Sequence, residues 1–270
     1  MKQQAVLLMA YGTPRSLDEV EAYYTDIRGG RKPSPELLHE LRARYEHIGG
    51  RTPLTEITFA QARALEDALG ENYRVYVGMK HWHPYIAEAV QKIVDAGHER
   101  VTALALAPHY SRFSIDGYAQ RVRAAMEQTG AQFELEVVES WNDEPLLIQS
   151  IVERMEETRA AFGVNSWNDV AVIFSAHSLP ERILQGGDPY PDELRETCEL
   201  VAARLNLQKT GWRFAYQSAG RTGEKWLGPD ILDTLDAVAQ EGHRRVLIAP
   251  IGFVADHLEI LYDIDVECAT

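Results

Sequence analysis

The stretch Val6-Leu-Leu-Met-Ala-Tyr11-Gly-Thr-Pro14 decides the fold, because it aligns without gaps on Val172-Ile-Phe-Ser-Ala-His177-Ser-Leu-Pro180. Each copy is an apolar run, then an alanine, a polar ring residue and, three residues later, a proline. Continuous apolar runs are typical of parallel strands that are covered on both faces. Similar strands also occur by chance in unrelated α/β chains, which is the alternative to a true repeat. If the repeat is real, Tyr11 and His177 stand at equivalent carboxyl ends, where such sheets bind ligands, and face each other across one cleft.

The rest of the chain alternates short apolar runs with longer amphipathic ones. This alternation predicts an α/β fold of two Rossmann-like lobes, with parallel sheets flanked by helices. A length of 270 residues suits two lobes of that size. We place the first lobe at 1–163 and the second at 164–270. Predicted strands are 5–11, 73–79, 101–107, 133–139, 170–176, 212–217 and 245–251. Predicted helices are 16–27, 35–47, 55–69, 84–96, 117–129, 145–161, 192–205, 229–241 and 256–266.

Charge and cysteine content limit the class of protein. The net charge of −14 disfavours nucleic acid as a partner. Residues 28–51 are locally basic, with six basic and three acidic residues. No apolar run reaches the ~18 residues that a transmembrane segment needs. Cys198 and Cys268 form neither a disulfide framework nor a CxxC site, so we expect a reducing, cytoplasmic location.

Two groups of residues are candidates for chemistry. His177 follows a buried strand, and its alternative is a core histidine with satisfied hydrogen bonds. Glu259, Asp263 and Glu267 are spaced i, i+4, i+8, which predicts one face of a helix and a line of carboxylates. The alternative for these three acids is a solvated helix surface.

Other motifs are weak or missing. His81-Trp82-His83 is either a metal pair or part of a cleft lining. No Cys/His spacing fits structural zinc, and neither a dinucleotide nor a P-loop glycine motif occurs. The G-x-S-x-G motif of serine hydrolases does not occur either.

At these residues the sequence resembles the ferrochelatase family, over nearly the whole chain and in family order. The matching pieces are Met9-Ala-Tyr11-Gly-Thr-Pro14, Arg28-Gly-Gly-Arg31-Lys-Pro33, Arg44-Tyr45, Ile48-Gly-Gly50, Lys80-His81, Ala107-Pro-His109-Tyr-Ser111, Ser175-Ala-His177-Ser-Leu-Pro180, Gly187-Asp-Pro-Tyr-Pro191, Trp226-Leu-Gly-Pro-Asp230 and Gly252-Phe-Val-Ala-Asp-His-Leu-Glu259. The form of the first piece is similar to that of the Gram-positive branch, which uses coproporphyrin III.

The resemblance implies insertion of Fe2+ into a porphyrin that lies in a cleft between two lobes, as a step of haem synthesis. It implies that His177 and Glu259 are catalytic and hold the metal, and that Tyr11 is axial to the product iron. We add Asp263 and Glu267 as outer metal ligands. The porphyrin-binding residues implied by the match are Tyr11, Arg28, Arg44, Tyr45, Thr52, His81 and Tyr118.

Further expectations concern cofactors, partners and completeness. Fe2+ is a substrate, no cofactor is permanently bound, and the lack of a cysteine cluster implies that there is no iron–sulfur cluster. A haem-accepting protein is an expected partner. Because family members usually continue for a few dozen residues, we expect the chain to be truncated after Thr270. The alternatives are a same-fold cobalt or iron chelatase for a sirohydrochlorin-type ring and a non-catalytic tetrapyrrole-binding protein.

Overall fold

The computed structural model describes residues 3–220 and 223–269. They form two parallel sheets flanked by helices, which confirms the predicted fold class. The strands are β1 (Gln4–Ala10), β2 (Tyr73–Met79), β3 (Arg100–Ala105), β4 (Glu134–Val138), β5 (Ala171–His177), β6 (Trp212–Gln217) and β7 (Val246–Ala249). The α-helices are α1 (Val20–Ile27), α2 (Pro35–His47), α3 (Leu54–Leu69), α4 (Ile86–Asp95), α5 (Ile115–Thr129), α6 (Pro145–Ala161), α7 (Tyr190–Arg204), α8 (Ile231–Gln240) and α9 (Leu258–Leu261).

The two sheets share one arrangement of strands. The first has the order β2-β1-β3-β4 and the second the order β6-β5-β7. Ala5 pairs with Val101 in the first sheet, and Ala171 pairs with Val246 in the second. In the gapless alignment Ala5 matches Ala171, so the repeat extends to strand neighbours and to their register.

Chain contacts divide the protein into two compact units. Unit 1 comprises 1–107, 114–139 and 255–262, and unit 2 comprises 108–113, 140–254 and 263–270. This division differs from the predicted boundary after residue 163, because α6 buries Ile148 and Met155 in the same apolar core as β5. It also places Glu259 in unit 1, whereas the sequence analysis assigns it to the second lobe.

Helix ends follow local capping chemistry. Ser34 accepts a hydrogen bond from the backbone N–H of Leu37 at the start of α2, with Pro35 at the first helical position. Gly97 after α4 and Gly242 after α8 have φ of +69° and +91°, a conformation that only glycine adopts readily. None of the helices in the described ranges has the length and apolarity that crossing a bilayer requires.

The predicted helix 256–266 is wrong in its second half. Helix α9 ends at Leu261, and Asp263–Glu267 form a π-helical turn. The i, i+4 spacing therefore no longer defines one continuous α-helical face.

Candidate active site

Tyr11 and His81 lie side by side at the carboxyl ends of β1 and β2. The backbone N–H of His81 donates to the carbonyl of Tyr11 at 2.9 Å, which continues the pairing of the two strands. The two ring centroids are 4.6 Å apart. Tyr11 keeps 40% of its surface accessible, yet the surrounding protein and the carboxylate of Glu259 raise the pKa of its hydroxyl above the ordinary value. Tyr11 is therefore a neutral phenol that a ligand can reach.

Lys80 and Tyr118 form a second contact beside this pair. The Lys80 ammonium lies 4.9 Å from the centre of the Tyr118 ring, within cation–π range. Burial, with the positive charge of Arg121, lowers the pKa of Lys80 to about 8. Burial is also the main cause that raises the pKa of Tyr118, to which the charge of Glu259 adds.

Thr52 and Tyr45 belong to a buried chain of hydroxyl groups. Thr52 donates to the hydroxyl of Thr13 at 3.0 Å, and Thr13 lies 3.3 Å from the Tyr45 hydroxyl. Nearby, Tyr23 donates to the carbonyl of Gly12 at 3.1 Å. Burial raises the pKa of Tyr45 to about 12. These contacts hold the loop that follows Tyr11.

Of the two predicted arginines, Arg28 directly follows α1 and Arg44 lies on α2. The Arg28 guanidinium lies 5.7 Å from the Tyr24 ring centre, and its buried Nε has no hydrogen-bond acceptor within 3–220 and 223–269. Arg44 lies 3.6 Å from Glu40 and 5.1 Å from the centre of the Tyr262 ring.

Glu259 lies in α9 and belongs to the same unit as Tyr11. His257 precedes the helix, and its Nε2 is 3.2 Å from a carboxylate oxygen of Glu259. Its Nδ1 lies 3.1 Å from the carbonyl oxygen of Ala255. The charge of Glu259 adds to the burial that raises the pKa of Tyr11, Tyr45 and Tyr118, so its carboxylate lies within electrostatic reach of all three.

His177 is the last residue of β5, in unit 2. Its Nδ1 donates to the carbonyl of Ser178, so Nε2 of a neutral ring carries the lone pair. The Tyr190 hydroxyl donates to the backbone carbonyl of His177 at 2.9 Å, and the ring of Trp226 lies 6.3 Å away. His177 is neither fully buried nor fully exposed, and its role in the chemistry stays a prediction.

The predicted carboxylate line does not form as expected. Asp263 is 5% exposed and accepts a hydrogen bond from the Ser218 hydroxyl, within unit 2. It is a buried structural contact rather than an outward-facing ligand. Asp263 and Glu267 lie on the π turn of unit 2, whereas Glu259 lies on α9 of unit 1. Over the described part of the chain, no group of three or more His, Cys, Asp or Glu side chains is arranged to hold a metal ion. Metal binding by Glu267 and by the His177/Glu259 pair stays a prediction.

Several residues that shape this site are not among the predicted ones. Thr13 and Tyr23 hold the loop after β1, and Asp26 and Arg121 lie behind His81. Thr13 is part of the Gly-Thr-Pro motif, which signals a tight turn. Nothing local in the sequence singles out Asp26 or Arg121, because their partner is 55 and 40 residues away.

Comparison with known proteins decides the family. The family model described as Ferrochelatase matches residues 3–270. The chain belongs to the ferrochelatase family. A ferrochelatase from Herpetosiphon aurantiacus is 51% identical over 97% of this chain and 87% of its own length. A coproporphyrin III ferrochelatase from Bacillus subtilis is 44% identical over 99% of this chain and 87% of its own length.

The likeness to a solved structure is weaker than the likeness to these relatives. The sirohydrochlorin chelatase SirB from Bacillus subtilis subspecies spizizenii, in complex with cobalt, matches 96% of this ferrochelatase chain and 92% of its own, with a TM-score of 0.49 and 10% identity. A match at that level says nothing about the substrate of this chain.

Proposed function

We propose that this chain inserts Fe2+ into coproporphyrin III and releases two protons, as a step of haem biosynthesis. The observation that carries the proposal is the placement of Tyr11 in a ferrochelatase chain. Its ring is accessible, contacts His81 and lies within the electrostatic reach of Glu259. Relatives at 42–46% identity that are named coproporphyrin III ferrochelatases support the choice of porphyrin.

The reaction replaces two pyrrole N–H bonds with bonds to the metal, so two protons must leave the ring. Each unit carries a group that can accept a proton, namely the imidazole of His177 in unit 2 and the carboxylate of Glu259 in unit 1. We assign His177 and Glu259 to proton transfer and metal delivery, and Tyr11 to the position axial to the product iron. In this proposal His81, Tyr45, Thr52 and Tyr118 shape the porphyrin site, with Thr52 acting through Thr13.

The preference for coproporphyrin follows from charge. Coproporphyrin III carries four propionates and protoporphyrin IX carries two. Arg28 and Arg44 lie within the basic segment 28–51 of an otherwise acidic chain, so this segment carries the positive charge that additional propionates require. A charge-assisted hydrogen bond contributes roughly 1.5–3 kcal/mol, so one additional contact changes kcat/KM by about tenfold or more.

The test is anaerobic Fe2+ insertion into coproporphyrin III and protoporphyrin IX, followed by absorbance. We expect a higher kcat/KM for coproporphyrin III, and we expect Arg28→Gln to reduce the difference. Arg100→Gln is the matched control, because Arg100 is an exposed arginine on β3 that pairs with Glu134 at 3.2 Å. Equal kcat/KM values for both porphyrins would refute the substrate assignment, and a lack of insertion into either would refute the reaction.

The remaining expectations belong to the same proposal. Fe2+ enters as a substrate and no cofactor stays bound. We also propose a cytoplasmic location, which the free thiols of Cys198 and Cys268 support, and transfer of the product to a haem-accepting protein. The alternatives of a sirohydrochlorin-type chelatase and of a non-catalytic tetrapyrrole-binding protein have less support, since both the family model and the relatives are ferrochelatases.

A further inference from the structure

Three separate elements bring charged groups together behind the His81 ring. Asp26 comes from α1, His81 follows β2, and Arg121 comes from α5. Nδ1 of His81 lies 2.8 Å from Oδ2 of Asp26. A terminal guanidinium nitrogen of Arg121 lies 3.6 Å from the same oxygen. The imidazole therefore has one carboxylate neighbour, and an arginine lies close to both groups.

This geometry selects one tautomer of His81. A carboxylate only accepts hydrogen bonds, so Nδ1 must carry the hydrogen and donate to Asp26. The Arg121 nitrogen is 3.4 Å from Nδ1, but it cannot donate to a nitrogen that already carries hydrogen, so its partner is Asp26. Nε2 then holds a lone pair, and no side chain or backbone group in 3–220 or 223–269 donates to it.

The environment keeps this ring neutral and fixed. Burial is the main cause that lowers the pKa of His81 below its ordinary value. The hydrogen bond to Asp26 acts in the opposite direction, and the positive charges of Arg121 and Lys80 add to the lowering. Only 9% of the His81 side chain is exposed, and the ring contacts Tyr11 at an interplanar angle of 55°. The result is a hydrogen-bond acceptor at a set position beside Tyr11.

We infer that Asp26 is a positioning residue, which holds His81 as a hydrogen-bond acceptor for the pyrrole N–H groups of the bound free-base porphyrin, with Arg121 fixing Asp26. The inference rests on the proposed function, because it places the porphyrin against Tyr11. A free-base porphyrin offers two pyrrole N–H donors, and its metal complex offers none. His81 therefore favours substrate over product by about fivefold, the size of one net hydrogen bond, and this difference assists product release.

Removing Asp26 reverses the tautomer rather than merely loosening the ring. In Asp26→Ala, the Arg121 guanidinium loses its carboxylate and becomes the available donor next to Nδ1. His81 then carries its hydrogen on Nε2 and changes from an acceptor to a donor. Asp26→Asn retains an oxygen that Arg121 and His81 can both donate to, so it retains the original tautomer. Alanine is favourable inside a helix, so α1 tolerates the first change.

The chain offers a matched control in a second histidine–carboxylate pair. Nδ1 of His83 lies 2.7 Å from Oε1 of Glu88, and both side chains are about half exposed. Glu88→Ala removes the same type of contact two residues from His81. It should change the NMR signals of His83 and leave those of His81 and the binding of porphyrin unchanged.

The experiment has two readouts that need no metal insertion. Long-range 15N–1H NMR of the histidine rings reports which nitrogen of His81 carries the hydrogen. Fluorescence titration gives the Kd for free-base coproporphyrin III and for its palladium(II) complex, which has no pyrrole N–H and takes no axial ligand. We expect the Nδ1–H tautomer and a preference for the free base in the wild type and in Asp26→Asn. In Asp26→Ala we expect the Nε2–H tautomer and a preference lowered by about fivefold.

An Nε2–H tautomer in the wild type would overturn the inference, and so would an unchanged binding ratio in Asp26→Ala. Loss of binding for both porphyrins in equal measure would indicate a purely structural role and would also overturn it. Failure of the wild type to insert Fe2+ would refute the proposed function, whereas the tautomer and the binding ratio would still decide the role of Asp26.

Discussion

Replacing Gly12 with alanine tests whether the loop after β1 holds Tyr11 in place. Gly12 has a φ of +95°, and a Cβ at this position would lie 2.9 Å from the backbone N of Trp82 and 3.2 Å from Cβ of Met79. The first of these atoms is main chain and cannot turn away. The carbonyl of Gly12 also accepts the hydrogen bond from Tyr23, so relief of the clash disturbs that contact as well.

The expected loss of stability has two parts. An L-residue at positive φ costs ~1–2 kcal/mol, and forcing a methyl group into a filled space costs ~1–3 kcal/mol. Gly12→Ala should therefore lower the free energy of unfolding by about 2–5 kcal/mol. Gly30→Ala is the matched control, because Gly30 has a φ of +86° and no atom within 4 Å of its Cβ position. It should lose only the first part, ~1–2 kcal/mol.

Urea unfolding followed by tryptophan fluorescence measures both losses, and Fe2+ insertion at a temperature where both variants are folded measures the effect on the site. We expect Gly12→Ala to lose the greater stability and most of the insertion activity, because the ring of Tyr11 moves with its neighbour. If Gly12→Ala loses no more stability than Gly30→Ala, the close approach to Trp82 is not tight. If folded Gly12→Ala inserts iron at the wild-type rate, the loop does not position Tyr11.

Four further predictions follow from single side chains. His177→Ala should lower the rate of Fe2+ insertion by at least about 100-fold while coproporphyrin III still binds, as insertion assays and fluorescence titration measure. Glu259→Gln should lower kcat for insertion more than it changes the KM for porphyrin, because it removes a charge and keeps the shape of the side chain. Burial lowers the pKa of His109 from 6.5 to about 3, so the unfolded chain binds a proton that the folded chain does not. The free energy of unfolding should then fall by about 2 kcal/mol from pH 7 to pH 5. Urea unfolding of His109→Gln at both pH values should show that this pH-dependent loss is absent. Asp263→Ala should lower the free energy of unfolding by about 1–3 kcal/mol because it leaves the Ser218 hydroxyl without its acceptor, and the KM for iron should stay unchanged if Asp263 is structural.

The strands were predictable because buried parallel strands consist of continuous apolar residues. β2 and β6 match their predicted bounds, and the other five are shifted or shortened by a few residues. The predicted strands 101–107 and 245–251 end earlier, at Ala105 and Ala249. Proline 108 follows the first and proline 250 lies inside the second, and a proline cannot donate to the ladder of a sheet. Pro250 therefore explains the end of β7 at Ala249, whereas β3 ends three residues before Pro108.

The sequence does not predict the break in the carboxylate line or the contact between Asp26 and His81, for different reasons. The spacing of Glu259, Asp263 and Glu267 assumes an unbroken α-helix, and the break after α9 coincides with burial of Asp263 against Ser218. That contact joins residues 45 positions apart. The contact between Asp26 and His81 spans 55 positions and depends on how α1 packs beside β2. Local periodicity carries no information about either contact.

The internal repeat explains why the two ring residues stand where they do. Gly97 lies four residues before Val101, and Gly242 lies four residues before Val246, so each copy leaves its helix and enters its strand in the same way. Each valine then pairs with the matching alanine of the central strand. A chance likeness of two apolar runs would not also fix a second strand in the same register. Tyr11 and His177 therefore occupy one position of a duplicated unit, immediately beyond the part of the strand that must stay apolar. At this position the side chain can change without loss of core packing, so one copy can carry a phenol and the other an imidazole on the same scaffold.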